Sequence, residues 1–154
     1  MKYLNKFLKV SSLILLSILW IYSIYCYVIF PNTIPVHFNF TGEVDRYGDK
    51  IILLILPIIS SIIFYILGFA NNFSLKNKSF LNKKNINENF LPFHLLFFNY
   101  LRCVIQVLFL TIVTSTHLIV FKKTDSLIPG FNFILLLLII VPTAIYTYKA
   151  LKSN

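Results

Sequence analysis

The segment FPNTIPVHFNFTGEVDRYGDK, residues Phe30–Lys50, separates two long apolar stretches of the chain. It combines proline, glycine, histidine, asparagine and charged residues, a mixture that solubility in a membrane does not explain. The segment therefore predicts a loop between two membrane-spanning helices. Because most of the remaining chain has the composition of lipid-facing helix or of basic flank, the case for a function depends mainly on this loop.

The composition is that of an all-α integral membrane protein. Of the 154 residues, 58% are hydrophobic and only 12% are charged, whereas soluble domains are about half apolar and a quarter charged. The net charge of +9 comes from lysines in short flanks between apolar stretches. Such flanks face anionic lipid, and no groove-reading or base-stacking motif accompanies them. The expected partner is therefore the lipid bilayer and not a nucleic acid.

Four apolar stretches are each long enough to cross a bilayer, which takes about 20 residues. They predict four transmembrane helices within a single membrane domain, residues 1–154, at about residues 10–30, 51–70, 101–121 and 129–148. Residues 31–50 form the loop between the first two helices. Residues 71–90 are rich in asparagine and lysine and predict a basic cytoplasmic link. Residues 91–98 predict an interfacial lead-in to the third span.

The distribution of basic residues predicts the orientation in the cell membrane. The amino end, the link and the carboxyl tail hold nine lysines, whereas the two other loops hold four basic residues. Because basic residues are enriched on the cytoplasmic side, both termini of this multi-pass protein are expected in the cytoplasm. The loop 31–50 is then outside.

The first half of the loop has the alternation of a strand. Apolar and other residues alternate from Ile34 to Thr41, which predicts an extended segment with one buried face. Gly42 and Gly48 permit turns, and Asp49 is placed to cap the second helix. The predicted buried face carries Ile34, Val36, Phe38 and Phe40, and the opposite face carries Pro35, His37, Asn39 and Thr41.

The loop carries a family resemblance. The pattern Pro31-x-x-Ile34-Pro35-x-His37-Phe38-Asn39-x-x-Gly42-x-x-Asp45-x-Tyr47-x-x-Lys50 resembles the signature of the membrane family called domain of unknown function 1648 (DUF1648). That domain also occurs in the bacterial SdpI-type immunity proteins. The departures are Phe30, Tyr47 and Asp49, where the family often has Leu, Trp and Ser.

The resemblance implies a small bacterial multi-pass membrane protein with its signature loop after the first helix, and it implies no known reaction. The larger immunity proteins carry further helices that this chain is too short to hold. The family pattern marks possible recognition residues at Pro31, Ile34, Pro35, His37, Phe38, Asn39, Gly42, Asp45 and Lys50.

His37 permits three interpretations. With Glu43, Asp45 and Asp49 nearby it could belong to a metal site, but the spacing matches no metal motif. A general acid–base role needs a nucleophile or a paired acid in a cavity, and the sequence names none. A structural histidine, or one that contacts a peptide, is favoured. The chain is therefore expected to have no catalytic residue, cofactor or metal.

The third predicted span has a polar face. At about 100° per residue, Arg102, Gln106 and His117 fall within one narrow sector of the helix. Polar residues inside a span usually face the helix bundle, so this sector predicts a packing face, and a polar permeation pathway is the alternative.

These observations favour a non-enzymatic membrane protein that acts as an accessory or immunity-like factor. It would recognise a secreted peptide or a membrane protein partner at the outer membrane face. The alternatives are a small transporter or channel subunit, which would be a homo-oligomer, and a membrane enzyme centred on His37.

Overall fold

The computed structural model describes residues 1–76, 90–127 and 130–152, which form long helices and a β-hairpin. The hairpin lies between the first two helices, in the segment that the sequence predicts as a loop. The elements are α1 Lys2–Ile29, β1 Thr33–Phe38, β2 Val44–Asp49, α2 Ile52–Lys76, α3 Phe90–Val120 and α4 Phe131–Lys152.

The helices extend beyond the predicted spans, because the spans mark only their apolar parts. Helix α1 begins at Lys2, ahead of the predicted start near residue 10. Helix α2 continues to Lys76, so the first six residues of the predicted basic link 71–90 are helical. Residues 77–89 of that link lie outside the described residues, and its last residue, Phe90, begins α3.

Helix α3 is continuous where the sequence predicts an interfacial lead-in followed by a span. It runs from Phe90 to Val120 without a break. Pro92 falls in its first turn, where the missing N–H has no helical partner to lose. Pro57 in α2 and Pro142 in α4 also lie within unbroken helices, as bilayer helices tolerate.

Within residues 1–76, 90–127 and 130–152, three helices are long and apolar enough to cross a membrane: α1, α2 over Ile52–Asn71 and α3 over Leu91–Val120. Their outward faces are apolar. Ile21 is 71% exposed, for example, and Ile66 is 61% exposed. Soluble monomers rarely expose such continuous apolar surface, which is consistent with lipid covering these faces. The fourth span at α4 stays a prediction.

The hydrophobic core lies at the end of the bundle that carries the hairpin. Helix α3 packs against both α1 and α2, and α4 packs against α3. The buried cluster therefore joins residues of three helices with a residue of β1. Its members are Leu19, Cys26, Phe30, Ile34, Leu53 and Val113.

The second half of the loop contains a strand, β2, that the residue pattern does not predict. The expected extended segment is β1 and ends at Phe38, and β2 pairs with it antiparallel. Gly42 makes the predicted turn with a φ of 91°. The second turn predicted at Gly48 is wrong, because Gly48 lies in β2. A Cβ there would meet Val36 at 3.0 Å, so glycine permits this close cross-strand approach.

The predicted buried face of β1 is partly right. Ile34 is buried and Val36 and Phe38 are half-buried, whereas His37 is exposed. Pro35, which the alternation places on the open face, is buried. Phe40 is 74% exposed, because the strand ends before it. Its ring contacts the Phe133 ring edge-on.

Candidate functional site: the hairpin and the helix ends beneath it

Ile34 fixes the base of the hairpin to the helices. Its side chain is fully buried in the core cluster beside Phe30 and Leu53. Burial of an isoleucine side chain contributes about 1.5–3 kcal/mol. The strand β1, which carries His37, is therefore attached to the helices at Ile34.

Lys50 joins the end of α1 to the start of α2. Its Nζ donates a hydrogen bond of 3.0 Å to the carbonyl oxygen of Phe30, the residue that caps α1. The same ammonium lies 5.1 Å from the centre of the Tyr27 ring, and the Lys50 backbone N–H donates to the Asn32 carbonyl. A cation is favoured at the carboxyl end of a helix, so Lys50 holds both ends of the hairpin together.

Asp49 has the role that its position predicts. Its carboxylate accepts a hydrogen bond of 2.7 Å from the backbone N–H of Ile51, immediately before α2 begins at Ile52. This contact satisfies one of the free N–H groups at the amino end of the helix.

The tip of the hairpin is closed by Asn39. Its Oδ1 accepts from the Glu43 backbone N–H at 2.9 Å and from the Thr41 hydroxyl at 2.6 Å, and its Nδ2 donates to the Glu43 carboxylate. The Asn39 backbone also pairs with Glu43. Because these bonds use the polar groups of Asn39 within the turn, the structure gives this residue a scaffolding role.

The tip also rests on the segment that joins α3 to α4. The Leu127 backbone N–H donates to the Gly42 carbonyl at 2.8 Å, and Glu43 forms a β-bridge with Ser126. A Cβ on Gly42 would meet the Leu127 side chain at 3.2 Å. The hairpin is therefore attached at its base and at its tip.

His37 and Asp45 are exposed partners on this attached hairpin. The strand register shifts on both sides of His37, and such bulges redirect side chains. His37 Nδ1 lies 2.6 Å from Asp45 Oδ1, and the two side chains are 57% and 41% exposed. No group of three His, Cys, Asp or Glu side chains positioned to hold a metal ion occurs in the part of the chain that the structure describes.

An apolar groove of about 330 Å³ lies between β1 and the helices, and we call it the hairpin groove. His37 is among its lining residues, so the polar pair stands beside an apolar cleft. Clefts of a few hundred cubic ångströms with few polar groups are typical ligand sites. The helical walls are formed mainly by Leu53 and Leu56 of α2 and by Leu108 and Ile112 of α3.

The structure divides the residues of the family pattern between two roles. Pro31 follows the cap of α1 and is exposed, and Phe38 lines the hairpin groove. Five residues of the pattern hold the hairpin in place through buried contacts or through hydrogen bonds in the turns: Ile34, Pro35, Asn39, Gly42 and Lys50. His37 and Asp45 are left available for contact.

Sequence reasoning missed the residues that support the hairpin from elsewhere in the chain. Leu127 holds the tip, while Leu108 and Ile112 line the groove. They lie about sixty residues or more beyond the hairpin in sequence, where no local pattern connects them to it. The bonds between Glu43 and Asn39 also had no sequence signal.

The polar residues of α3 are spread along the bundle. Arg102 is 7% exposed and Gln106 is fully buried. The Gln106 side-chain oxygen accepts a hydrogen bond of 2.6 Å from Ser60 of α2. Since a helix rises about 1.5 Å per residue, Arg102 and His117 are roughly 22 Å apart and do not form one site.

His117 lies near the hairpin end within a group of aromatic rings. Its Nδ1 is 2.8 Å from the Tyr22 hydroxyl. The ring stacks on Tyr22 and Tyr25 and meets Phe30 edge-on. His117 therefore packs against α1, while His37 partners Asp45.

Comparison with known proteins finds a family model that matches this end of the molecule. The family model described as "Domain of unknown function (DUF1648)" matches residues 14–60. These residues carry most of α1, the whole hairpin and the start of α2. The match confirms the resemblance found in the loop and supports this domain over that segment.

A relative matches about a third of the chain. An uncharacterized protein of Archaeoglobus fulgidus is 45% identical over 51 residues, which are 33% of this chain and 28% of that protein. The aligned region thus spans little more than a quarter of the relative. No solved structure matches the chain significantly. Residues 14–60 are therefore similar to the DUF1648 domain, and they contain the hairpin with its exposed His37–Asp45 pair.

Proposed function

We propose that this chain is a non-enzymatic multi-pass protein of the cell membrane that recognises a peptide or protein segment at its hairpin. The observation that carries the proposal is the exposed His37–Asp45 pair at the rim of the hairpin groove. The hairpin is held by buried Ile34, by the Lys50 bond and by its contact with Leu127. A polar pair on a rigid support can bind a partner with little loss of conformational freedom.

The groove favours a partner with an apolar side chain beside a polar group. Its lining is mainly aliphatic, so the transfer of an apolar side chain from water or lipid headgroups into the groove would be favourable. Asp45 can accept a hydrogen bond, and His37 can donate or accept one. A hydrophobic secreted peptide, or the end of a membrane protein, has this combination of groups.

The immunity-like role comes from the family resemblance. The DUF1648 signature is shared with the SdpI-type immunity proteins, which suggests an accessory or protective function against a secreted peptide. A bacterial source and an outward-facing hairpin belong to the same proposal.

A transport pathway has less support from the polar face of α3. Arg102 lines a cavity, but Gln106 is bonded to Ser60 and His117 packs against Tyr22. These contacts are those of a packing face. A membrane enzyme at His37 is also less favoured, because the pair stands in the open and not within a closed cavity.

The test uses a strain that lacks the gene, complemented with variants of the groove. Leu108→Phe would fill the hairpin groove, and Val107→Phe, whose site is exposed on the same helix, is the matched control. We expect wild type and Val107→Phe to restore resistance to secreted antibacterial peptides. Leu108→Phe and His37→Ala are expected to reduce protection about tenfold, which corresponds to a loss of about 1.4 kcal/mol of binding free energy.

Membrane levels of each variant are checked by immunoblot, and solute uptake is measured in the same strains. Peptide sensitivity that stays unchanged on deletion, together with altered uptake, would reject recognition in favour of transport. Equal protection by Leu108→Phe and Val107→Phe would show that the hairpin groove does not bind the peptide.

A further inference from the structure

A second cavity opens at the end of the helices opposite the hairpin. It has a volume of about 560 Å³ and lies between α1, α2 and α3. Apolar rings line part of it, including Tyr65 and Phe69, which are 70% and 71% exposed toward the outside of the bundle. Its polar lining consists of Asn5, Lys9, Asn71, Asn99 and Arg102, and we call it the basic cavity.

Arg102 enters this cavity with unused hydrogen-bonding capacity. The residue is 7% exposed, and its guanidinium carbon lies 3.5 Å from the centre of the Phe64 ring. One terminal nitrogen donates to Asn99 Oδ1 at 3.3 Å, but the buried Nε–H has no partner among the described residues. A guanidinium carries five N–H donors in a planar fork, so a ligand can still be bound.

Three asparagines support the wall of the cavity. Asn99 Nδ2 donates to Asn5 at 2.6 Å, and Asn71 Nδ2 donates to Asn99 Oδ1 at 3.2 Å. The Asn71 side-chain oxygen is buried and has no partner within the described part of the chain. An unpartnered acceptor next to an arginine suits a ligand that carries a hydroxyl group beside an anion.

The charges of the cavity are of one sign. Lys9 and Arg102 line it, and no acidic residue is among its described lining. Glu43, Asp45, Asp49 and Asp125 lie on the hairpin and on the turn after α3, at the other end of the molecule. Glu88 lies outside the described residues. A buried cation without a counter-charge is unfavourable, so an anion would be stabilised here.

We propose that the basic cavity binds a phosphate group, either that of an anionic lipid such as phosphatidylglycerol or that of a free phosphate ester. The Arg102 fork would hold the phosphate, because guanidinium and phosphate oxygens match in pairs. Lys9 would add charge at the mouth of the cavity. This inference is independent of peptide recognition, since it concerns the opposite end of the molecule.

The test is native mass spectrometry of the purified full chain in detergent with phosphatidylglycerol or phosphatidylcholine. We expect about tenfold preferential retention of phosphatidylglycerol. Lys9→Gln should reduce retention severalfold, whereas Lys6→Gln, an exposed residue of α1 outside the cavity lining, should leave it unchanged. Arg102→Lys should lose about tenfold although it keeps the charge, because the planar fork is lost.

Competition with inorganic phosphate distinguishes the two sources of the group. Displacement at millimolar phosphate indicates a site for free phosphate esters, and resistance to it indicates a lipid headgroup. Equal retention of both lipids without phosphate binding would overturn the proposal. Equal effects of Lys6→Gln and Lys9→Gln would also overturn it, since they would indicate diffuse surface charge. Lys9 is exposed, so that comparison does not depend on whether Arg102 variants fold.

Discussion

Replacement of Ile34 by alanine is expected to lower the free energy of unfolding by about 2–5 kcal/mol. The side chain is fully buried in the cluster that joins β1 to three helices. Its truncation removes apolar contacts and leaves a cavity. Because Ile34 is the residue through which the strand enters the core, the hairpin should also become mobile relative to the helices.

The measurement is reversible unfolding of the purified protein in detergent, with Tyr47→Ala as the matched control. Tyr47 lies in the paired strand and is 61% exposed, so its truncation should change stability by no more than about 0.5 kcal/mol. Equal losses for the two variants would show that Ile34 does not anchor the hairpin.

Replacement of Lys50 by methionine should lower the free energy of unfolding by about 1–2 kcal/mol. Methionine keeps an apolar stem but removes the ammonium that bonds the Phe30 carbonyl and lies near the Tyr27 ring. Bonds to charged groups contribute about 1.5–3 kcal/mol, and partial exposure of Lys50 reduces this value. The carbonyl at the end of α1 would then need water as its partner.

Hydrogen exchange of the hairpin amides tests this expectation. Lys50→Met should speed exchange in β1 and β2, while Arg46→Met, a change of the same kind at an exposed position of β2, should not. Protection that is unchanged in Lys50→Met would mean that the core contacts alone hold the hairpin.

Local signals in the sequence accounted for much of the fold. Long apolar stretches predict α1, α2 and α3, since their length and composition are enough to identify them. The φ-positive turn at Gly42 and the cap at Asp49 also follow from residue type and position.

The second strand could not be predicted in the same way. The sequence VDRYGD of β2 lacks a clear alternation, and its pairing depends on Val36 fitting against Gly48 across the strands. Pro35 was misplaced for a related reason, because packing against the helices overrides strict alternation where the strand bulges.

The candidate site was predictable only in part. His37 was singled out by its position in the loop, but its pairing with Asp45 depends on the shifted strand register. Leu127 and the groove residues of α3 contact the hairpin through the tertiary fold. Such contacts leave no periodic pattern in one sequence.

Recognition of a partner at the hairpin requires that the hairpin face the outside of the cell, where the partner can reach it. A cysteine at Thr41, in a chain with Cys26→Ala and Cys103→Ser, tests it with an impermeant thiol reagent on intact cells. Thr41 is exposed at the tip, so we predict labelling there and none at a cysteine in place of Lys2 until the cells are permeabilised. Protection of position 41 with labelling of position 2 would contradict the account.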